Sequence, residues 1–199
     1  MKLTALLITA IAVTASPVLA APVPGQPAPA FRGVDVNGKP VTLADFRGKT
    51  VVLEWNNPNC PFVQKHYSGG NMQSLQRTNT AGGVVWLAIN STTESHSDYK
   101  APATLAAWFG EQKAVPTAIL MDPKGEIGRA YGAKVTPHMY VIDPKGTLVY
   151  AGAIDDKRSA NPADVKTSTN HVAVALGELA AGKVVTTSAT TAYGCTIKY

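Results

Sequence analysis

The segment Glu54 to Tyr67, EWNNPNCPFVQKHY, contains a cysteine in a setting typical of a reactive thiol. Cys60 follows an apolar, strand-like run and a short polar loop, and it directly precedes Pro61. Since proline is favoured at the first helical position, this pattern predicts that Cys60 lies at the start of a helix. The unpaired N–H groups and the dipole there stabilise an anion such as the nucleophilic thiolate. The alternative is an inert buried cysteine, or one held in a disulfide.

The residue that would complete a C-x-x-C motif with Cys60 is Val63, so a second thiol must come from elsewhere. Cys195, in the C-terminal sequence AYGCTIKY, is the only other cysteine of the chain. A disulfide between the two would close a loop of roughly 135 residues and stabilise the fold by ~5 kcal/mol in the chain-entropy model. Two roles stay open for Cys195. It is either a structural partner that pins the tail, or a resolving thiol that a mobile tail brings to oxidised Cys60.

The sequence KVTPHMYVID places Thr136 and Pro137 at the start of an apolar strand. The bond between them is either cis or the ordinary trans bond of a proline that opens an edge strand. His138 follows, and we expect that it could lie near Cys60, which leaves a copper site built from cysteine and histidine as a further alternative. The four histidines show no metal-ligand spacing, and no G-x-G-x-x-G fingerprint opens a helix. We therefore predict no metal and no nucleotide cofactor.

The elements that would position these residues alternate between strands and helices. Asn37-Gly38 between two apolar stretches predicts an N-terminal hairpin. Runs with strand character are 50–55, 82–90, 116–122 and the two halves of 139–152, which a turn at 143–146 joins. Segments with helical character are 61–67, the stretch from 71 onward, 101–112 and 165–179. This order predicts an α/β fold with a central mixed sheet flanked by helices.

The first twenty residues have the composition of a secretory signal peptide. Lys2 precedes an apolar run, and small residues lead to Ala20, after which we predict cleavage. The predicted organisation is a signal peptide over 1–20, one domain over 21–184 and a tail over 185–199 that carries Cys195. Export to the periplasm or the medium would place both cysteines where a disulfide persists. No later segment is apolar over enough residues to anchor the chain in a membrane.

The charge of the chain is mild and dispersed. The formal net charge is +5, and the basic residues are scattered without an aromatic-interleaved stripe. A nucleic-acid-binding surface needs basic side chains clustered on one face. We therefore predict no nucleic-acid partner.

Three phrases of the sequence together resemble the thioredoxin-like redoxins: GQPAPAFRGVDVNGKPVTLADFRGKTVVLEW, NCP and TPHMYVID. This superfamily holds the alkyl hydroperoxide reductase/thiol-specific antioxidant enzymes and exported thiol-disulfide oxidoreductases. The resemblance runs from about Gly25 to Gly152. It implies a thioredoxin-like fold in which the reactive cysteine begins the first helix and a cis-proline loop packs against it. It thereby assigns Cys60, Thr136 and Pro137 to the site.

Departures from the family pattern narrow the expected function. Thioredoxins carry a second cysteine where Val63 stands, and peroxide-reducing members usually carry Thr or Ser at the position of Asn57 and an arginine near Pro137. Asn57 can still donate a hydrogen bond through its amide. The sequence therefore predicts a thiol-dependent oxidoreductase whose Cys60 attacks a disulfide or peroxide, with Cys195 as a candidate resolving thiol and another thiol protein as electron donor. The competing hypothesis is a non-catalytic binding module with a structural Cys60–Cys195 disulfide.

Overall fold

The computed structural model describes residues 21–199, and the predicted signal peptide lies outside them. The strands are β1 (Arg32–Asp35), β2 (Pro40–Thr42), β3 (Val51–Trp55), β4 (Val85–Asn90), β5 (Ala118–Met121), β6 (Val135–Thr136), β7 (His138–Ile142), β8 (Leu148–Gly152) and β9 (Cys195–Thr196). The helices are α1 (Pro61–Ser68), α2 (Asn71–Ala81), α3 (Pro102–Glu111), α4 (Glu126–Tyr131) and α5 (His171–Ala180). None of these helices is both long and apolar enough to span a membrane.

Seven of the strands form one mixed sheet in the order β2-β1-β5-β4-β3-β7-β8. The central strand β3 runs parallel to β4 and antiparallel to β7. All five residues of β3 are buried, because helices cover both faces of the sheet. The remaining two strands, β6 and β9, pair with each other. The predicted fold class, a mixed sheet flanked by helices, is thus confirmed.

Two hydrophobic cores lie on opposite faces of this sheet, because successive side chains of a strand point to opposite sides. Val52 and Met139 pack with residues of α1, α2, α3 and α5 in the core that also contains Cys60. Trp55 and Tyr140 pack with residues of α4 in the other core. Cys60 therefore lies on the same face of the sheet as four of the five helices.

Local sequence signals predicted most element boundaries. The Asn37-Gly38 pair lies in the turn between β1 and β2, which pair antiparallel as a hairpin. The predicted break between the first two helices is also present, because Gly70 has a φ of 72° that favours glycine. Helix α4 was not predicted from the sequence. Gly125 is its N-cap, and the buried carboxylate of Asp122 accepts hydrogen bonds from the first-turn amides of Ile127 and Gly128.

The predicted closing helix over 165–179 is wrong at its start. Residues Pro162–Thr167 form a 3₁₀ turn, and α5 begins only at His171. Asn170 caps α5, since its side-chain oxygen accepts a hydrogen bond of 2.9 Å from the amide of Ala173. After α5 comes the C-terminal tail, residues 185–199. It contains β9, which pairs with β6.

Candidate functional site

Cys60 occupies the N-cap position of α1, with Pro61 as the first helical residue, as the sequence predicts. A turn closed by the Cys60 amide and the Asn57 carbonyl, 3.0 Å apart, brings the chain from β3 into the helix. The Cys60 thiol is 2% exposed. It donates a hydrogen bond of 3.0 Å to the carbonyl oxygen of Thr136. The sulfur thus lies where the helix dipole favours an anion.

The peptide bond between Thr136 and Pro137 is cis. Thr136 ends β6, and Pro137 separates it from β7. The segment lies beside Cys60, because the Thr136 carbonyl accepts the hydrogen bond from the Cys60 thiol. The structure therefore brings together the three residues that the resemblance assigns to the site.

Cys195 lies beside Cys60 although the two are far apart in sequence. In the antiparallel pair of β6 and β9, Cys195 is the register partner of Thr136. The carbonyl of Thr136 accepts the hydrogen bond from the Cys60 thiol. Both cysteines carry free thiols. Burial raises the pKa of Cys195, and the adjacent Cys60 raises it further. The second thiol of the site is therefore half-buried and held against the first.

The tail makes hydrogen bonds to the domain on both sides of Cys195. The Thr190 hydroxyl accepts a hydrogen bond of 2.9 Å from the amide of Ala153. Farther along, the Ile197 amide donates to the Lys134 carbonyl at 3.0 Å, and the Thr93 amide donates to the Lys198 carbonyl at 2.7 Å. These contacts flank Cys195 on both sides and fix its position.

A buried ion pair anchors the tail two residues before Cys195. The Lys65 ammonium lies 3.0 Å from the Asp155 carboxylate and donates to the Tyr193 hydroxyl at 3.1 Å and to the Lys157 carbonyl at 2.7 Å. The Tyr193 hydroxyl also donates to Asp155. Burial raises the pKa of Asp155, but the hydrogen bonds from Tyr193 and Lys65 outweigh it and leave the pKa below its ordinary value. The sequence alone does not predict this cluster, because Lys65 is 90 residues from Asp155 and 128 residues from Tyr193.

His66 borders the same cluster. Its ring nitrogen Nε2 lies 3.8 Å from Asp155, and its Nδ1 contacts the Asn71 amide at 2.9 Å. Burial lowers the pKa of His66 to about 4, although the charge of Asp155 acts in the opposite direction. The imidazole is therefore neutral at physiological pH, and Lys65 is the one cation that faces Asp155 from α1.

Asn57 lies in the loop before Cys60 and is 5% exposed. Its side-chain oxygen accepts from the Asn59 amide at 2.8 Å, and its own amide donates to the Asp98 carboxylate at 3.5 Å. Asn59 donates to the same carboxylate at 2.8 Å and lowers the pKa of Asp98. The Asn57 side-chain amide is therefore bound to the loop that carries Asp98.

His138 points away from Cys60, which overturns the expectation that the two could lie together. Its ring packs on Tyr140 with centroids 4.6 Å apart, and Tyr140 belongs to the core on the other face of the sheet. Burial lowers the pKa of His138 to about 4. Among residues 21–199, no group of three or more His, Cys, Asp or Glu side chains is arranged to hold a metal ion.

Comparisons with known proteins agree with this fold. The AhpC/TSA family profile matches residues 24–151. An uncharacterized conserved protein from Geobacillus kaustophilus is 27% identical with a TM-score of 0.76, over 89% of this chain and 92% of that chain. A hypothetical protein from Sinorhizobium meliloti is 26% identical with a TM-score of 0.73, over 90% of this chain and 96% of that chain.

A putative thiol:disulfide interchange protein DsbE from Chlorobium tepidum shares the fold at greater distance. It is 24% identical with a TM-score of 0.54, over 66% of this chain and 85% of that chain. No curated protein matches the chain significantly.

Proposed function

Because the chain belongs to the AhpC/TSA family and has a thioredoxin-like fold, we propose that it carries out thiol-disulfide exchange through Cys60 and Cys195. The observation that carries this proposal is the meeting of both sulfurs at the start of α1. Cys60 caps the helix, and Cys195 is the register partner of Thr136, whose carbonyl accepts a hydrogen bond from the Cys60 thiol. A helix start stabilises the thiolate that each step of the exchange requires.

The first step uses Cys60 as the nucleophile. Its thiolate attacks one sulfur of a substrate disulfide, the substrate S–S bond breaks, and the departing thiolate takes up a proton. Cys60 is then joined to the second half of the substrate in a mixed disulfide. Before the reaction, the Thr136 carbonyl accepts a hydrogen bond of 3.0 Å from the Cys60 thiol and so orients the sulfur.

The second step uses Cys195 as the resolving thiol. Burial raises the pKa of Cys195, and the hydrogen bond with Cys60 and the charge of Cys60 raise it further. Once Cys60 is bonded to the substrate, its sulfur is no longer a thiol, so these last two contributions to the Cys195 pKa end while burial remains. The Cys195 thiolate attacks Cys60, the mixed disulfide breaks, and the second substrate thiol leaves. Two electrons have then passed from the two cysteines to the substrate.

A thiol donor closes the cycle by reducing the Cys60–Cys195 disulfide through the same two exchanges in reverse. We propose another thiol protein as this donor. The predicted signal peptide supports a periplasmic or secreted location for the reaction. Cys60 and Cys195 could also reduce a peroxide. The peroxide would oxidise Cys60 to a sulfenic acid, and the Cys195 thiol would then form the disulfide and release water. That second candidate is supported by the family match.

Oxidation of the reduced protein by oxidised glutathione, followed by mass spectrometry, tests the proposed function. In the wild type we expect a Cys60–Cys195 disulfide and two released glutathione molecules. In Cys195→Ser we expect the reaction to stop at glutathione bound to Cys60, because no resolving thiol remains. A parallel reaction with hydrogen peroxide measures the second candidate.

Two results would contradict thiol-disulfide exchange. If the reduced wild type reacted with neither oxidant faster than a free cysteine, the protein would be a binding module with a structural disulfide. If peroxide oxidised Cys60 rapidly while glutathione left it untouched, the peroxidase candidate would replace the exchange reaction.

A further inference from the structure

The strand edge beside Cys60 is occupied by the tail of the same chain. Cys60 donates its thiol proton to the carbonyl of Thr136, and Thr136 pairs with Cys195 in the antiparallel register of β6 and β9. Cys195 therefore lies opposite the residue whose carbonyl contacts the Cys60 thiol.

An extended polypeptide would compete for the same edge. Adding a strand to an open edge is how a sheet commonly binds a polypeptide, because the main chain then gains its hydrogen bonds. A polypeptide whose cysteine reaches the Cys60 sulfur by this route would place that cysteine opposite Thr136. Because Cys195 already lies there, the docked tail and such a polypeptide exclude each other. A thiol donor that attacks the half-buried Cys195 sulfur of the oxidised protein does not have to pair with β6.

Glycines line the path of the tail where it approaches the domain most closely. A methyl group on Gly194, whose φ is 144°, would lie 2.0 Å from the Thr136 carbonyl oxygen. One on Gly152 would lie 2.2 Å from the hydroxyl of Thr190, and one on Gly128 would lie 2.3 Å from the hydroxyl of Tyr199. The tail thus fits against β6, β8 and α4 at three separate places, and all three depend on a missing side chain.

We propose that segment 188–199 of the tail is a built-in occupant of the polypeptide-binding edge, which makes low-molecular-weight disulfides the substrate class of the docked protein. The proposal rests on the proposed exchange reaction. Cys60 is 2% exposed while the tail is docked, so a small disulfide needs a local opening at the sulfur, whereas an extended polypeptide needs release of both residue pairs between β6 and β9. The chemical step is unchanged. The Cys60 thiolate breaks the S–S bond of the small disulfide, Cys195 releases the bound half, and two small thiols carry away the two electrons.

Capture of substrates by a chain that lacks the resolving thiol tests this proposal. In the Cys195→Ser background, the rate of mixed-disulfide formation is measured with oxidised glutathione and with insulin, a polypeptide that carries disulfides. Adding Gly194→Ala places a methyl group against the Thr136 carbonyl and so opens the edge. We expect insulin capture to rise by roughly 10-fold or more and glutathione capture to change by less than about 3-fold.

Gly177→Ala is the matched control. Gly177 lies within α5, and a methyl group there meets no atom within 4 Å, so we expect both capture rates to stay unchanged. Circular dichroism checks that each variant is folded. If Gly194→Ala fails to fold, Tyr199→Ala serves instead, because it removes the last anchor of the tail, which packs on Arg129 with the guanidinium 4.6 Å from the ring centre.

The outcomes separate this proposal from the exchange reaction beneath it. A selective rise in insulin capture supports the proposal. An equal rise for both probes, or insulin capture as fast as glutathione capture with the tail docked, overturns it and leaves the exchange reaction intact. If Cys60 captures neither probe in any variant, the exchange reaction itself is wrong.

Discussion

Cys60→Ser is expected to lower the rate of oxidation by oxidised glutathione by roughly 1,000-fold or more. Serine has nearly the shape of cysteine and retains a donor for the Thr136 carbonyl, 3.0 Å from the native sulfur. Its hydroxyl does not ionise at neutral pH, so the nucleophile is lost while the fold is kept. The remaining thiol is the poorer nucleophile, because burial raises the pKa of Cys195 and Cys195 does not occupy the N-cap of α1.

The matched variant is Cys195→Ser, measured in the same stopped-flow assay. It removes the other thiol but keeps Cys60 at the N-cap of α1, so we expect the rate of the first step to stay within about 5-fold of the wild type. The two serine variants therefore differ sharply in rate although each lacks one thiol. If Cys195→Ser were the slow variant and Cys60→Ser the fast one, the assignment of the nucleophile would be reversed.

Lys65→Met is expected to lower the free energy of unfolding by about 3–5 kcal/mol. The Lys65 and Asp155 side chains are 0% and 1% exposed, and the ammonium lies 3.0 Å from the carboxylate. Methionine fills a similar volume but leaves Asp155 charged and buried without its cation. His66 does not supply that charge near neutral pH, because burial lowers its pKa to about 4. Urea unfolding with intrinsic tryptophan fluorescence measures the loss.

The double variant Lys65→Met/Asp155→Leu isolates the unpaired charge. It removes both charges, and we expect it to recover most of the lost stability, because a buried pair is more costly to break than to replace. Lys145→Met is the surface control. Lys145 is exposed in the turn between β7 and β8, so we expect a change within about 0.5 kcal/mol. If Lys65→Met cost no more than this control, the ion pair would not anchor the tail.

The sequence predicted the first half of the site because its signals are local. An apolar run, a polar loop and Cys60-Pro61 lie within a dozen residues, and each has a direct effect on the backbone. The same holds for the hairpin at Asn37-Gly38. The start of the last helix was predicted too early, at 165, because a 3₁₀ turn begins at Pro162 and α5 starts only after its N-cap, Asn170.

The second half of the site depends on contacts between distant residues. Lys65 and Asp155 are 90 residues apart, and Tyr193 lies 128 residues from Lys65, so no local pattern joins them. The position of Cys195 follows from this cluster and from the pairing of β9 with β6. The position of His138 could not be predicted either, because the register of β7 decides on which face of the sheet its side chain lies.

The redox titration of the two cysteines most directly tests the claim that Cys60 and Cys195 form an exchange couple. The protein is equilibrated in buffers of defined thiol-disulfide potential, quenched, and scored for the fraction of Cys60–Cys195 disulfide. We predict a single two-electron transition at a potential more oxidising than about −300 mV, in the range where thiol donors reduce catalytic disulfides. A disulfide that stayed oxidised well below about −300 mV would contradict the exchange reaction and identify the bond as structural.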